Sequence, residues 1–83
     1  MRLVHARDTT SGRDTTVKVS KICYPDGSVD LAVHQIEGVY ETEAEFDVDW
    51  NMTPDKEGLV NFISLDLVDA RKLVNALIEE IQS

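Results

Sequence analysis

The segment DLVDARKLVNALIEEIQ, residues 66–82, decides the fold class because it predicts one amphipathic helix. Asp66 is a favourable N-cap, and Asp69 adds negative charge to the first turn, near the unpaired backbone N–H groups. At about 100° per residue the apolar side chains form one stripe, which we expect to pack on a β-sheet. The stripe comprises Leu67, Ala70, Leu73, Val74, Leu77, Ile78 and Ile81.

The N-terminal residues predict a first β-hairpin. A two-residue turn at Ser11-Gly12 would place Ala6 opposite Val17 and Val4 opposite Val19, so that the apolar side chains of both strands share a face. The surrounding repeat, RDTT at residues 7–10 and 13–16, is wholly polar and is equally consistent with a flexible loop. We expect strands that fray towards this tip.

A second turn is predicted at residues 24–28, YPDGS, because proline presets φ at its first turn position and glycine tolerates positive φ. Residues 18–24 favour a strand before it. Val29, Leu31 and Val33 alternate with polar or small residues after it, which predicts an antiparallel return strand that ends at Gly38.

Residues 41–50, ETEAEFDVDW, alternate strictly between acidic and mostly apolar side chains, and this period of two predicts a strand. Residues 59–65 predict a further, central strand. The expected fold is therefore a single α+β domain over residues 1–83. Residues 1–65 would form an antiparallel sheet of four or five hairpin-connected strands, and residues 66–82 a helix on one face of it. We expect the helix stripe to contact Leu31, Val33, Phe46, Val48, Trp50, Phe62 and Ile63.

The charge of the chain narrows its partners. Sixteen acidic against eight basic residues give a net charge of −8, which argues against general affinity for nucleic acid or anionic membranes. The basic groups concentrate in residues 1–22, with five basic against two acidic residues. With one cysteine, no signal-like first segment and no membrane-length apolar run, we expect a cytoplasmic protein.

The sequence contains no complete pattern for a metal site or for a nucleophile with its base. Residues 47–51 resemble the opening of a calcium loop, but Met52 occupies the position where such a loop requires glycine. His5, Cys23 and His34 lack the spacing of a zinc site or of a nucleophile with its base. The sequence therefore predicts no enzyme activity, catalytic residue, metal or cofactor.

The acidic row suggests a specific hypothesis. Alternate residues of a strand lie about 6.8 Å apart, which is close to twice the phosphate spacing per base pair. Such a row would imitate a phosphate backbone and bind the basic surface of a nucleic-acid-binding protein. The alternative is a solvated sheet face whose acids keep the protein soluble. The predicted partner-binding residues are Glu41, Glu43, Glu45, Asp47, Asp49, Asp55 and Glu57.

The C-terminal half, in which Ile63-Ser64-Leu65 leads into the terminal helix, resembles the element order of the PC4-type single-strand-binding coactivators. That resemblance implies a sheet surface that binds single-stranded nucleic acid through basic and aromatic side chains. Here the corresponding strand carries acids, so no site residue is carried over. In size and charge the chain is also similar to small acidic phage and mobile-element inhibitors that mimic nucleic acid.

Three functions follow as hypotheses. The first is an acidic protein-binding module, such as a nucleic-acid-mimicking inhibitor of phage type. The second is an assembly subunit that forms a homodimer or larger oligomer through strand edges and apolar faces. The third is direct single-strand binding by Arg2, Arg7, Arg13, Lys18 and Lys21 with Tyr24 for stacking. Salt separates the first two, because only electrostatic binding weakens steeply with ionic strength.

Overall fold

The computed structural model of the protein describes residues 1–52 and 62–83 and has the expected α+β architecture. The three strands it contains form one antiparallel sheet in the order β1-β2-β3, so the prediction of four or five strands exceeds what the described residues form. The elements are β1 (Arg2–Arg7), β2 (Asp14–Cys23), β3 (Val29–Glu37), α1 (Glu43–Met52) and α2 (Leu67–Gln82).

The first hairpin forms with a register two residues from the predicted one. Val4 pairs with Val17 rather than with Val19, because the chain reverses through residues 9–12 instead of a two-residue turn. Gly12 ends this loop at φ 73°, a conformation that glycine adopts without steric cost. A shift of two residues preserves the facing of every side chain, so the apolar residues still share one face.

The second hairpin has the predicted turn. The Tyr24 amide donates a 2.9 Å hydrogen bond to the Ser28 carbonyl, and the Asp26 carboxylate accepts from the Ser28 amide at 2.9 Å. Gly27 has φ 89°, as this turn requires. Strand β3 then runs antiparallel to β2, and Gly38, at φ 118°, follows its last residue as expected.

The predicted strand over residues 41–50 is wrong, because residues 43–52 form α1. The Thr42 hydroxyl accepts a 3.2 Å hydrogen bond from the Glu45 amide and so caps the helix N-terminus. Acidic residues in the first turn favour the same end. The predicted strand over residues 59–65 is not formed in its described part, since residues 62–65 have no regular structure, and residues 59–61 lie outside the described residues.

Helix α2 packs on one face of the sheet, as predicted, and its contacts there are with β1 and β2. The Asp66 carboxylate caps it by accepting a 2.8 Å hydrogen bond from the Asp69 amide. The buried core of this face contains Val4, Val17, Val19 and Ala76, and Leu31, Ile63, Leu73 and Leu77 pack against it while partly exposed. Burying each of the three valine side chains of this core contributes roughly 1.5–3 kcal/mol.

Helix α1 lies on the opposite face of the sheet. Its Lys18 contact identifies this face, because Lys18 alternates along β2 with the core residues Val17 and Val19. The predicted contact of Phe46, Val48 and Trp50 with α2 is therefore wrong. The two helices of the described residues therefore lie on opposite faces of the sheet.

Candidate protein-interaction surfaces

The helical conformation of α1 divides the predicted acidic row. At about 100° per residue, Glu43 and Asp47 share one side of the helix, whereas Glu45 and Asp49 share a different side. The strand spacing that underlies phosphate mimicry is therefore absent. Glu43, Glu45, Asp47 and Asp49 lie in α1, Glu41 precedes it, and Asp55 and Glu57 lie outside the described residues.

Two acids of the row are paired with a lysine of the sheet. Lys18 Nζ lies 2.6 Å from Asp47 Oδ1 and 3.4 Å from Glu43 Oε1, with its side chain largely buried. Desolvation lowers the pKa of Lys18, but the hydrogen bonds and attraction of Asp47 and then Glu43 outweigh it and raise that pKa overall. These two carboxylates thus attach α1 to β2, and their charge is locally compensated.

A third acid of the row contacts the segment before the helix. The Tyr40 hydroxyl donates a 2.5 Å hydrogen bond to Asp49 Oδ2, and this bond to the neutral phenol raises the pKa of Tyr40. Glu41 and Glu45 are exposed to solvent. The row therefore presents carboxylates in several directions and in several pairings, instead of one continuous line of charge.

An aromatic cluster fixes α1 to the sheet. Phe46 is fully buried, stacks on Trp50 with ring centroids 6.3 Å apart and meets Tyr40 edge to face at 5.6 Å. Trp50 also lies on His34 of β3, with centroids 4.5 Å apart. Burial, and then the nearby Lys18 charge, lower the pKa of His34, while Asp47 opposes this. The cluster serves packing and has no arrangement of nucleophile and base.

The basic residues proposed for single-strand binding do not form a free cationic surface. Tyr24, the predicted stacking residue, donates its hydroxyl to Asp30 at 2.9 Å. Lys21 Nζ donates to the Ser83 carbonyl at 2.5 Å. The other four basic residues lie in ion pairs, namely Arg2–Glu79, Arg7–Asp14, Arg13–Glu37 and Lys18–Asp47.

A group of exposed apolar side chains lies on the other face of the sheet, on and beside α2. Part of the predicted helix stripe does not reach the core, because α2 lies over β1 and β2 and leaves the outward side of its apolar stripe in solvent. The exposed fractions are 85% for Leu67, 50% for Val74, 46% for Ile78 and 63% for Ile81.

Strand β3 continues this surface across the sheet. Val29 and Val33 point to the same face as the core residue Val19 and are 54% and 51% exposed. Between the strand and the end of α2 lies an open cleft of about 350 Å³, bordered by Val29 and Ile81. We call the six exposed residues the α2–β3 surface: Val29, Val33, Leu67, Val74, Ile78 and Ile81.

Within the predicted apolar stripe, the spacing of three residues is a signal for this surface. Leu67, Val74 and Ile81 are seven residues apart, which places them one above another on the helix, about 100° from Leu73 at the centre of the core-facing side. An apolar arc that extends this far leaves one of its edges beyond the core-facing side of the helix.

Other classes of site are not indicated. Within residues 1–52 and 62–83, no group of three or more histidine, cysteine or acidic side chains could hold a metal ion. None of the helices in these residues is long and apolar enough to cross a membrane. Comparison of the chain with protein-family models, with curated proteins and with solved structures gives no match.

Proposed function

We propose that the protein is a non-enzymatic protein-binding module that acts as an assembly component through the α2–β3 surface. The observation that carries this is a group of six apolar side chains on one face of the protein, each about half exposed or more. Exposed apolar patches of a few hundred Å² or more are characteristic of interaction sites on soluble proteins. None of the six residues is charged, although the chain has a net charge of −8.

The acidic hypothesis rests on weaker support. Electrostatic mimicry of nucleic acid needs charges in a fixed, repeating line, and α1 presents its carboxylates on different sides. The net charge and the exposed Glu41 and Glu45 still favour basic partners over nucleic acid or anionic membranes. Such charges would speed association and set the orientation of a partner, while apolar contact would supply the affinity.

The test compares two variants in affinity capture with quantitative mass spectrometry. Ile78→Asp places a charge in the α2–β3 surface, and the double variant Glu41→Lys, Glu45→Lys reverses the exposed acids. We expect the wild type to retain its partner at about 1 M salt, where the Debye length is about 3 Å. We expect Ile78→Asp to abolish this binding. Asn75→Asp, on an exposed position outside the surface, is the matched control.

Capture of the chain by other copies of itself counts as binding in this test. Binding that disappears at high salt and in the double lysine variant, but persists in Ile78→Asp, would contradict the proposal and favour the acidic hypothesis.

A further inference from the structure

The α2–β3 surface has the shape of a step. Helix α2 occupies the layer above β1 and β2, and contacts between Asp69 and the Arg7 amide and between Glu79 and Arg2 show that it runs antiparallel to β1. Next to it, the same face of β3 has no helix among the described residues, and Val33 and Val29 are half exposed there. Within residues 1–52 and 62–83 the step is one strand wide, and a helix laid in it would lie beside α2.

The heptad spacing of α2 indicates what kind of helix fits there. Leu67, Val74 and Ile81 form an exposed row with seven-residue spacing, and Leu77, three residues after Val74, lies beside this row. That spacing corresponds to the a and d positions of a two-helix pair, and in a parallel pair equivalent residues of both helices meet at the same height. The β-branched Val74 and Ile81 at a positions, with leucine at d, favour two helices over three.

Symmetry connects the step with the helix pair. For two copies that face each other, a two-fold axis across the strands would stack one α2 on the other, whereas an axis parallel to the strands places each α2 over the other copy's β3. The second axis also leaves the two α2 helices side by side and parallel, an arrangement that the heptad row fits. The step and the heptad row are therefore compatible with the same arrangement.

The exposed area agrees with this partner. A chain of 83 residues buries a small core, and association is a common supplement to such cores. The exposed side chains, on the order of a few hundred Å² per copy, together with their polar border approach the roughly 800 Å² per partner of a stable interface. Helix α1 with its acids lies on the outer face of each sheet, away from the contact.

We propose that the α2–β3 surface binds a second copy of this chain, giving a two-fold dimer in which each α2 lies over β3 of the other copy and the two α2 helices pack in parallel. This inference rests on the proposed function and names its partner.

The first test is the mass of the protein in solution by sedimentation velocity over a range of concentrations. We expect twice the mass of one chain for the wild type and a rise of about 100-fold or more in the dimer dissociation constant for Val74→Asp. Asn75→Asp should leave the dimer intact. Because screening reduces repulsion between two chains of net charge −8, added salt should strengthen the dimer slightly.

The second test measures the geometry of the dimer with cysteine substitutions, which add no charge to the helix and so do not depend on whether Val74→Asp folds. In a Cys23→Ser background, Val74→Cys should form a symmetric intermolecular disulfide under mild oxidation, and Asn75→Cys should form far less. A monomeric wild type would contradict the proposed dimer. So would a dimer whose dissociation constant is unchanged in Val74→Asp and which Val74→Cys does not cross-link. If the wild type is monomeric but Ile78→Asp still abolishes capture of another protein, the proposed function stands and only the identity of the partner fails.

Discussion

The two faces of the sheet carry helices that are held in different ways. On one face, α2 contributes several aliphatic side chains to a core shared with Val4, Val17 and Val19. On the other, α1 depends on one fully buried ring, Phe46, and on the ion pairs of Lys18. The first attachment is distributed over many small contacts, whereas the second is concentrated in few groups. Substitutions on the two faces should therefore fail in different ways.

The largest effect is expected at the centre of the α2 contact. Ala76 is 6% exposed, and Ala76→Asp would bury a charge next to Glu80, which is itself buried and negative. An unpaired buried charge costs several kcal/mol, and a chain of this length has a total stability of about 4–12 kcal/mol. We expect Ala76→Asp to unfold the protein, as measured by far-ultraviolet circular dichroism and urea titration.

Asn75→Asp is the matched control, since it adds the same charge on the same helix at an exposed position. Its free energy of unfolding should stay within about 0.5 kcal/mol of the wild type. Similar stability of the two variants would show that α2 does not pack on the sheet through Ala76.

The next largest effect tests how concentrated the α1 attachment is. Phe46→Ala should lower the free energy of unfolding by about 3–5 kcal/mol, because it removes the one large side chain that α1 buries. Val48→Ala, on the same helix but 57% exposed, should change it by about 0.5 kcal/mol or less. Trp50 fluorescence reports α1 directly, because Trp50 is the only tryptophan. A loss below about 1 kcal/mol in Phe46→Ala would mean that α1 contributes little to the fold.

The elements that could be predicted from the sequence are those whose residues have a strong local preference. The second hairpin was predictable because Pro25 and Gly27 have conformational preferences that few other residues share. Helix α2 was predictable because its apolar period and its Asp66 cap agree. In the first hairpin the polar tip offered several loop lengths, so the face of each residue was predictable but the register was not.

Helix α1 shows where the pattern misleads. Phe46 and Trp50 are four residues apart, a spacing that puts both on one side of a helix and also on one face of a strand. The intervening acids fit either structure, and the cap at Thr42 and the buried site for Phe46 select the helix. The phosphate-like spacing of the acidic row assumed a strand, so that spacing is absent in the helix. The seven-residue spacing in α2 indicated a wide apolar arc, but the position of the α2–β3 surface also depends on how many strands lie beneath α2, which the sequence did not determine.

The smallest effect concerns pH on the α1 face. Burial lowers the pKa of His34 below 6.5, the neighbouring Lys18 charge lowers it further, and Asp47 acts in the opposite direction. The unfolded chain then binds this proton more readily than the folded one, so the stabilising contribution is complete above pH 6.5 and is lost as the pH falls through the folded pKa. His34→Phe removes the titrating group and keeps an aromatic ring against Trp50.

The reference protein for this test carries His5→Gln, so that His34 is its only histidine. We expect this reference to lose stability between about pH 7.5 and pH 5.5, and the same protein with His34→Phe to lose less. Urea titrations followed by Trp50 fluorescence measure the difference on the helix that His34 contacts. Equal losses in the two proteins would assign the pH dependence to other groups, and a greater loss in His34→Phe would reverse the inferred direction of the His34 pKa. Either result would show that the contact of His34 with Trp50 does not favour the neutral imidazole over the protonated one.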